Sequence, residues 1–288
     1  TTVPQLAWQA QHGWPRAAMN GRVVAEQAML GSQVTFLPLA LLSAGLVGAA
    51  GACYGTVRLL RAPELRPYAF LGWTAIGVIG LFVLAGGRPY DVAGMFPVLW
   101  AAAVVEVERG RLTRWCRWVP SWPVLALSAL LALSALPVVP ASWLNHNSPL
   151  AKADMRLAEV GWPALADSVA TAYGSVPTAE RARLVILTAN YWEAAALDRF
   201  GPERGLPKVY SPNRGYWYFG APRDHTADAV LYLGDPAPIR PYFATLRRLG
   251  TVDSSGVGVR TRYDGTPIWL ATDRRDPWSR VWPRLRTL

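Results

Sequence analysis

The sequence predicts a membrane-embedded all-α bundle of about four transmembrane helices, followed by a soluble α/β domain with a mainly parallel sheet. Hydrophobic residues make up 52% of the 288 residues and charged residues only 17%, whereas about a quarter of the residues of a typical soluble protein are charged. Two stretches, 34–54 and 68–86, contain no Asp, Glu, Lys or Arg at all. Most of the charge lies after residue 150, where short apolar runs alternate with helical patterns, as in an α/β domain.

Residues 1–33 are predicted to lie on the outer side of the membrane and to include an interfacial helix. The run RVVAEQAML at 22–30 has the spacing of an amphipathic surface helix. Indole, amide and imidazole groups, which suit a carbohydrate ligand, come together ahead of it in Trp8, Gln9, His12 and Trp14. An aromatic belt at the membrane interface explains the same residues, so both interpretations stay open.

Residues 34–140 form the predicted membrane region. A helix needs about 20 apolar residues to cross the hydrocarbon core, and the runs that approach this length lie near 34–54, 68–86, 92–107 and 122–140. The first run is rich in Gly, Ala and Ser, which allow a neighbouring helix to approach closely. So many apolar runs in succession favour transmembrane helices over buried helices of a soluble core.

Arginines between these runs predict the orientation of the bundle. Those between the first and second runs are Arg58, Arg61 and Arg66, and those between the third and fourth are Arg109, Arg111, Arg114 and Arg117. Because Lys and Arg are enriched in cytoplasmic loops, both loops are expected in the cytoplasm. The chain is then a multi-pass protein of the plasma (inner) membrane, with residues 141–288 as a soluble domain on the outer or periplasmic side.

The net charge of +10 does not indicate a nucleic-acid partner. Residues 140–288 carry 19 Lys and Arg against 14 Asp and Glu, and the rest of the excess lies largely in the two basic loops. Membrane topology accounts for such loops. The chain has two cysteines and no zinc pattern, P-loop or dinucleotide fingerprint, so we predict no disulfide framework, metal site or cofactor.

Arg88, Tyr90 and Asp91 stand out in the membrane region. They lie in the GGRPYD link between the second and third runs, on the predicted outer surface. An arginine there opposes the orientation bias. A lipid phosphate would account for it, because a guanidinium pairs with phosphate oxygens through two parallel N–H bonds. The alternative is an arginine that extends to the interface and pairs with Asp91.

Residues 141–288 are predicted to form the soluble α/β domain. The predicted strands are 182–188, 208–211, 229–233 and a terminal hairpin of 257–263 and 266–272 around Asp264-Gly265. The predicted helices are 191–200 and a segment from Asp235-Pro236 through Arg248. We therefore expect a mainly parallel sheet with helices packed on it and an antiparallel edge.

Loops after two predicted strands supply the candidate substrate contacts of this domain. Asn190 follows the strand 182–188 and has Glu193 three residues later, which is the spacing of a capping box. Asn213 and Trp217 lie in the next loop, SPNRGYWYFG. Open α/β sheets bind ligands beyond the carboxyl ends of their strands. Asn190, Asn213 and Trp217 are therefore candidate substrate contacts, with helix capping and packing as the alternatives.

Several of these stretches occur in an order that resembles one family of membrane enzymes. The sequence contains PQLAWQAQHGWP, GGRPYD, TANYWEAAAL, KVYSPNRGYWYFG and VLYLG. In this order they resemble the C-terminal half of bacterial glycosyltransferase family 39 proteins. These are relatives of the dolichyl-phosphate-mannose protein mannosyltransferases and of the aminoarabinose transferase of lipid A. The resemblance covers nearly the whole chain.

The resemblance implies a C-type glycosyltransferase fold and transfer of a sugar from a polyprenyl-phosphate donor to an acceptor on the outer face. Arg88 and Tyr90 match the family position that contacts the donor or carrier phosphate. Family members place the catalytic aspartate in an earlier outer loop, so no catalytic residue is assigned. We expect the chain to need a missing N-terminal half and to be inactive alone. The implied partners are the polyprenyl-phosphate-linked sugar and membrane lipids.

A non-catalytic, membrane-anchored protein whose outer domain binds a glycan or a protein partner is the alternative to an enzyme. A transporter is disfavoured, because the apolar runs contain almost no polar or ionisable residues that could line a substrate path. The order of the motifs is what favours the enzyme.

Overall fold

The computed structural model divides into two compact units, Thr1–Leu136 and Pro137–Leu288. It describes residues 2–29, 33–110, 118, 119, 121–135, 160–225, 227–259 and 261–288. Most of the second basic loop, at 111–117, and the segment 136–159 lie outside this set. The predictions made for them therefore stay predictions.

The regular elements described in the first unit are helices. They are α1 (Val3–Gln11), α2 (Pro15–Met29), α3 (Phe36–Ser43), α4 (Gly45–Arg61), α5 (Ala69–Ala85), α6 (Phe96–Glu108) and α7 (Trp122–Ala135). By length and composition, two helical segments can cross a membrane, Pro63–Ala85 and Pro89–Glu108, and each begins with a 3₁₀ turn. They coincide with the second and third predicted spans.

The first predicted span, 34–54, is wrong as one continuous helix. The chain bends by 109° between Gln33–Ser43 and Gly45–Arg61. Gly45 has φ +72°, a left-handed conformation that glycine adopts without the steric penalty of a side chain. The two helices count as a third crossing only if they form one bent span.

The fourth predicted span is described only in part. α7 has 14 residues, Trp122–Ala135, and is about 21 Å long at 1.5 Å per residue. Residues 136–140 lie outside the described set. The described residues therefore support two or three crossings and not the predicted bundle of four.

The surface of α5 is suited to lipid. Gly72 and Ala75 face the inside of the unit, whereas Trp73, Leu81 and Leu84 are 65%, 63% and 82% exposed. Exposing apolar side chains to water costs about 25 cal/mol per Å². A helix that is apolar all round and exposes large side chains is therefore stable in a hydrocarbon environment.

Small residues on α4 let α6 approach closely, as the sequence predicted for this run. Trp100 Nε1 donates to the Gly48 carbonyl over 2.8 Å. A Cβ at Gly55 would lie 1.9 Å from the Leu99 carbonyl oxygen. The two backbones therefore meet at a distance that only glycine allows.

The second unit contains a five-stranded sheet and four helices in its described residues. The strands are β1 (Leu184–Thr188), β2 (Val209–Tyr210), β3 (Ala229–Leu233), β4 (Phe243–Thr251) and β5 (Pro267–Arg274). The helices are α8 (Trp162–Gly174), α9 (Thr178–Arg181), α10 (Tyr191–Phe200) and α11 (Trp278–Leu285). The prediction of an α/β domain here is confirmed.

The sheet is mixed and not mainly parallel as predicted. Its strand order is β2-β1-β3-β5-β4. β1 pairs in parallel with β2 and β3, whereas β5 pairs antiparallel with β3 and β4. The antiparallel part is larger than predicted because a segment expected to be helical forms β4.

That segment, 235–248, is the clearest error in the predicted domain. Three prolines between residues 236 and 241 lack the N–H groups that a helix needs. Asp235 Oδ1 accepts the Ala237 N–H over 3.0 Å and so stabilises a local turn. The chain then enters strand β4 at Phe243.

The predicted terminal hairpin has the wrong first strand. β5 pairs with β4, and 257–263 contributes no strand among its described residues. Asp264 Oδ1 accepts the Ser254 backbone N–H at 3.0 Å and the Ser254 hydroxyl at 2.9 Å. Asp264 therefore stabilises a long connection between β4 and β5, where a two-residue turn was expected.

Alternate residues of β1 face two separate cores. Ile186 packs in a cluster with Leu165 of α8 and Leu197 of α10. Leu187 packs on the opposite face with Trp278 of α11. Helices therefore cover both faces of the sheet, and the carboxyl ends of β1, β2 and β3 meet at one edge.

Candidate functional site

The Arg88 turn, residues 86–91, joins the two helical segments that can cross a membrane. α5 ends at Ala85, and Gly86 follows with φ +66°, the left-handed conformation that commonly ends a helix. Arg88 is the N-cap of the 3₁₀ turn Pro89–Met95, which leads into α6. The turn therefore places Arg88 at the end of an apolar span.

The helix α2 packs against this turn. A Cβ at Gly86 would lie 2.5 Å from Cγ2 of Val24, so a larger residue cannot be accommodated there without a shift. Asn20 Nδ2 donates to the Ala85 carbonyl over 3.4 Å. The segment predicted to be an interfacial helix thus contacts the end of the span that carries Arg88.

Tyr90 orients the guanidinium of Arg88. Arg88 Nη1 donates to the Tyr90 hydroxyl over 2.6 Å, and the guanidinium carbon lies 5.9 Å from the centre of the Tyr90 ring. Tyr90 is 55% exposed. A guanidinium has five N–H donors in a planar fork, a shape that suits a phosphate group.

Asp91 is a capping residue of the turn. Its Oδ2 accepts the Arg88 backbone N–H over 2.8 Å, three residues back along the chain. A carboxylate at this position also interacts favourably with the N-terminus of the helical segment. This contact gives Asp91 a structural role, and its predicted substrate contact stays a prediction.

Three of the four N-terminal candidates, Trp8, Gln9 and His12, form local contacts at the turn between α1 and α2. The rings of Trp8 and His12 stack with centroids 4.2 Å apart, and His12 Nδ1 lies 2.7 Å from the Trp8 carbonyl. Gln9 Oε1 accepts the Arg16 N–H over 3.0 Å. Trp14 is 51% exposed and has φ 56°. These contacts build the turn between α1 and α2, and the predicted carbohydrate contact stays a prediction.

The structure brings Asn190 and Asn213 together at the N-terminus of α10. Asn190 is the N-cap, and its backbone N–H donates to Glu193 Oε2 over 3.3 Å, which confirms the predicted capping box. Asn213 Oδ1 accepts the Tyr191 N–H over 3.3 Å, and its Nδ2 donates to Thr287 Oγ1 over 3.0 Å. Both amides lie at the carboxyl edge of the parallel strands, where open sheets bind ligands.

Glu193 is a buried titratable group at this edge, a property that the capping pattern did not reveal. Its side chain is 3% exposed. Burial raises the pKa of Glu193 from 4.5 to about 7, although hydrogen bonds from Asn190 favour the ionised form. Burial also raises the pKa of Tyr263 to about 12, and the charge of Glu193 adds to that shift. A carboxyl group that titrates near neutrality in such a place is a candidate functional group.

Trp217, in contrast, packs within the unit. Its Nε1 donates to the Trp282 carbonyl over 3.1 Å, and Trp282 Nε1 donates to the Trp217 carbonyl over 3.2 Å. The Arg286 guanidinium lies 4.8 Å from a ring centroid of Trp217. These contacts fix the loop to α11 and favour the packing alternative for this residue.

The described residues form no metal centre, and the chain matches no known protein. Within the described residues, no group of three or more His, Cys, Asp or Glu side chains is placed to hold a metal ion. The chain matches no protein-family model, no curated protein and no solved structure. The chemistry of the residues and the order of the motifs are therefore the observations that bear on its function.

Proposed function

We propose that the chain forms part of a membrane glycosyltransferase, which transfers a sugar from a polyprenyl-phosphate donor to an acceptor on the outer face of the plasma membrane. The observation that carries the proposal is the Arg88 guanidinium, oriented by Tyr90 at the end of an apolar helix long enough to cross a membrane. The motif order that resembles family 39 glycosyltransferases supports it separately.

The chemistry of the donor explains why an arginine is needed there. When the bond between the sugar and the phosphate oxygen breaks, the carrier phosphate leaves with the bonding electron pair and gains negative charge. A fixed guanidinium stabilises that charge as it develops, and its planar fork can donate two parallel N–H bonds to phosphate oxygens. Because the polyprenyl tail lies in the hydrocarbon layer, its phosphate lies at headgroup depth, where the end of a span also lies.

The acceptor hydroxyl must lose a proton as it attacks the sugar, and a carboxylate is the usual base. Asp91 accepts the Arg88 N–H and is therefore assigned to the turn. The base of the reaction is not assigned to a residue of this chain.

Binding of the carrier tests the proposal without knowledge of the sugar. The chain is placed in lipid nanodiscs, and its affinity for a long-chain polyprenyl phosphate is measured by native mass spectrometry. We expect Arg88→Ala to weaken binding by about tenfold, which corresponds to about 1.4 kcal/mol. Arg88→Lys should recover only part of the loss, because an ammonium group offers a point charge and no fork.

Arg66→Ala is the matched control. Arg66 is exposed in the 3₁₀ turn at the other end of the same helical segment, Pro63–Ala85. Its removal changes the net charge equally and should leave carrier affinity unchanged. Equal affinity of the wild type and both alanine variants would refute the role of Arg88 and favour the non-catalytic binding protein.

A further inference from the structure

The loop after β2 presents an aromatic tip at the carboxyl edge of the sheet. The 3₁₀ turn Arg214–Phe219 ends in Phe219, which is 76% exposed, and Gly220 follows with φ +101°. Around it lies a set of side chains that we name the arginine–aromatic rim: Tyr191, Trp192, Arg214, Trp217, Tyr218, Phe219, Arg262 and Arg286. The rim combines cationic groups with aromatic rings in one loop cluster.

Each arginine of the rim lies close to an aromatic ring. The guanidinium carbon of Arg262 lies 5.0 Å from the Trp192 ring centroid, and that of Arg214 lies 5.6 Å from the Tyr191 ring centroid. Arg286 lies 5.2 Å from the ring of Tyr218 and donates to its hydroxyl over 2.6 Å. A guanidinium beside an aromatic ring is attracted to the face of that ring, and its N–H donors lie in the plane of the guanidinium group.

The end of the chain fixes the turn in place. Arg214 has φ 50°, a conformation that is uncommon for a residue with a side chain. Its N–H donates to the Thr287 carbonyl over 2.8 Å, and the Thr287 N–H donates to the Pro212 carbonyl over 3.0 Å. The turn is therefore held by backbone bonds and does not depend on the exposed ring of Phe219.

The guanidinium groups over these rings favour phosphate over a sugar ring as the ligand. A sugar ring binds on an uncovered aromatic face, and here guanidinium groups lie over the rings of Tyr191, Trp192 and Trp217. The exposed members of the rim are Arg262, whose N–H donors suit phosphate, and the apolar ring of Phe219. Phosphate next to an apolar layer is the chemistry of a phospholipid interface, where aromatic and basic side chains are enriched.

The charges of this edge agree with that chemistry. Among the described residues, exposed carboxylates at this edge are Asp235, after β3, and Asp253, after β4, and each accepts a local backbone N–H. Glu193 is buried. The second unit is also joined covalently to helices long enough to cross a membrane, which keeps a bilayer at high effective concentration.

We propose that the arginine–aromatic rim docks on the phospholipid surface, with Phe219 inserted among the headgroups and Arg262 bound to lipid phosphate. The proposal goes beyond the glycosyl transfer proposed above and rests on residues of the other unit. Loss of carrier binding at Arg88 and loss of docking at the rim can therefore be observed separately.

A fluorescent probe in nanodiscs tests the docking. Cys53 and Cys116 are replaced by Ser in the full chain, and a thiol-reactive fluorophore is attached through Gly215→Cys, where a Cβ meets nothing within 4 Å. The control probe is attached through Glu180→Cys, exposed in α9 before β1 and so at the amino edge of the sheet. The nanodiscs contain phosphatidylcholine and phosphatidylglycerol with nitroxide-labelled headgroups as quencher.

We expect the probe at 215 to be quenched at least about twofold more strongly than the probe at 180, because an interfacial side chain lies within about 5–10 Å of the headgroup boundary. The double variant Phe219→Ser and Arg262→Gln should reduce quenching at 215 to the control level. Both side chains are exposed, so the fold does not require them, and unchanged emission at 180 checks this.

Three results would overturn the proposal. Equal quenching at 215 and 180 would show that the rim has no special contact with lipid. Quenching at 215 that persists in the double variant would assign the contact to other residues. An unquenched probe whose emission shifts on addition of inorganic phosphate would identify a soluble phosphate ligand instead of the membrane surface.

Discussion

Replacement of Glu193 by Gln tests how the burial of this carboxyl group affects stability at the carboxyl edge of the sheet. Glutamine has an amide oxygen in place of the carboxylate oxygen of Glu193, and this oxygen can accept the Asn190 N–H. The capping box therefore survives. The substitution removes the ionisable group whose pKa burial raises from 4.5 to about 7. The expected difference between wild type and variant therefore comes from protonation and not from the loss of the cap.

The magnitude follows from linkage. A pKa unit corresponds to about 1.4 kcal/mol, so a shift from 4.5 to about 7 is worth on the order of 3 kcal/mol. The pKa is higher in the folded state, so the folded state binds the proton more tightly. The stabilising contribution is full below about pH 4.5 and is lost as the pH rises through about 7.

Amide hydrogen exchange of β1 and α10 in the full chain measures this effect. After correction for intrinsic exchange rates, we expect protection in the wild type to fall between about pH 5 and pH 8, while the Gln variant stays level. At the higher pH the variant should be the more protected of the two. Glu203→Gln, at an exposed glutamate just after α10, should behave like the wild type. Parallel pH profiles for Glu193→Gln and wild type would refute the reasoning.

Two further outcomes are expected in the first unit, Thr1–Leu136. Glu106→Ala should destabilise the unit by about 3–5 kcal/mol, because the fully buried carboxylate accepts Arg58 Nε over 2.6 Å and its loss leaves that cation without this partner. Gly55→Ala should cost about 1–3 kcal/mol, since the new Cβ would lie 1.9 Å from the Leu99 carbonyl oxygen. Thermal unfolding in detergent measures both.

Matched control variants show whether a loss of thermal stability comes from these specific contacts. Glu203→Ala removes an exposed partner of Arg199, 3.6 Å away, and exposed pairs contribute little to stability. Gly77→Ala adds a Cβ on α5 that meets nothing within 4 Å. If Glu106→Ala and Gly55→Ala unfold at the same temperature as their controls, the described packing of α4 against α6 is wrong.

The sequence correctly predicted the elements whose formation depends on residues close in sequence. α10 occupies Tyr191–Phe200 and β3 occupies Ala229–Leu233, as the sequence predicted. The capping residues before α10 and the uninterrupted apolar run of β3 depend on neighbours in sequence. The span at Ala69–Ala85 was predicted for the same reason, because composition alone marks an apolar helix of that length.

The errors lie where a tertiary contact decides the structure. An apolar run shows that 34–54 avoids water, but the left-handed Gly45 that bends it is one conformation among several open to glycine. In the same way, the segment Phe243–Thr251 becomes a strand only because β5 pairs with it. The helix start signal at Asp235-Pro236 does not lead to a helix, because two further prolines, Pro238 and Pro241, lack the N–H groups that a helix needs.

The same distinction between local sequence and tertiary contacts applies to the candidate sites. The sequence indicated Arg88 and Tyr90 by their place between two spans, and it indicated Asn190 with Glu193 by their spacing. It did not indicate the raised pKa of Glu193, because that shift comes from burial. Phe219 was also missed as an exposed ring, since an aromatic run alone does not show which ring packs inside the domain.

The central claim is that Arg88 acts on a polyprenyl-phosphate sugar during transfer. The direct measurement introduces Arg88→Ala into the chromosomal gene and quantifies polyprenyl-phosphate-linked sugars in the membrane by lipid mass spectrometry. If transfer falls about tenfold, corresponding to about 1.4 kcal/mol of lost transition-state stabilisation, the unused donor should accumulate relative to wild type and to Arg66→Ala. Donor levels equal in all three strains, at matched amounts of protein, would contradict the claim.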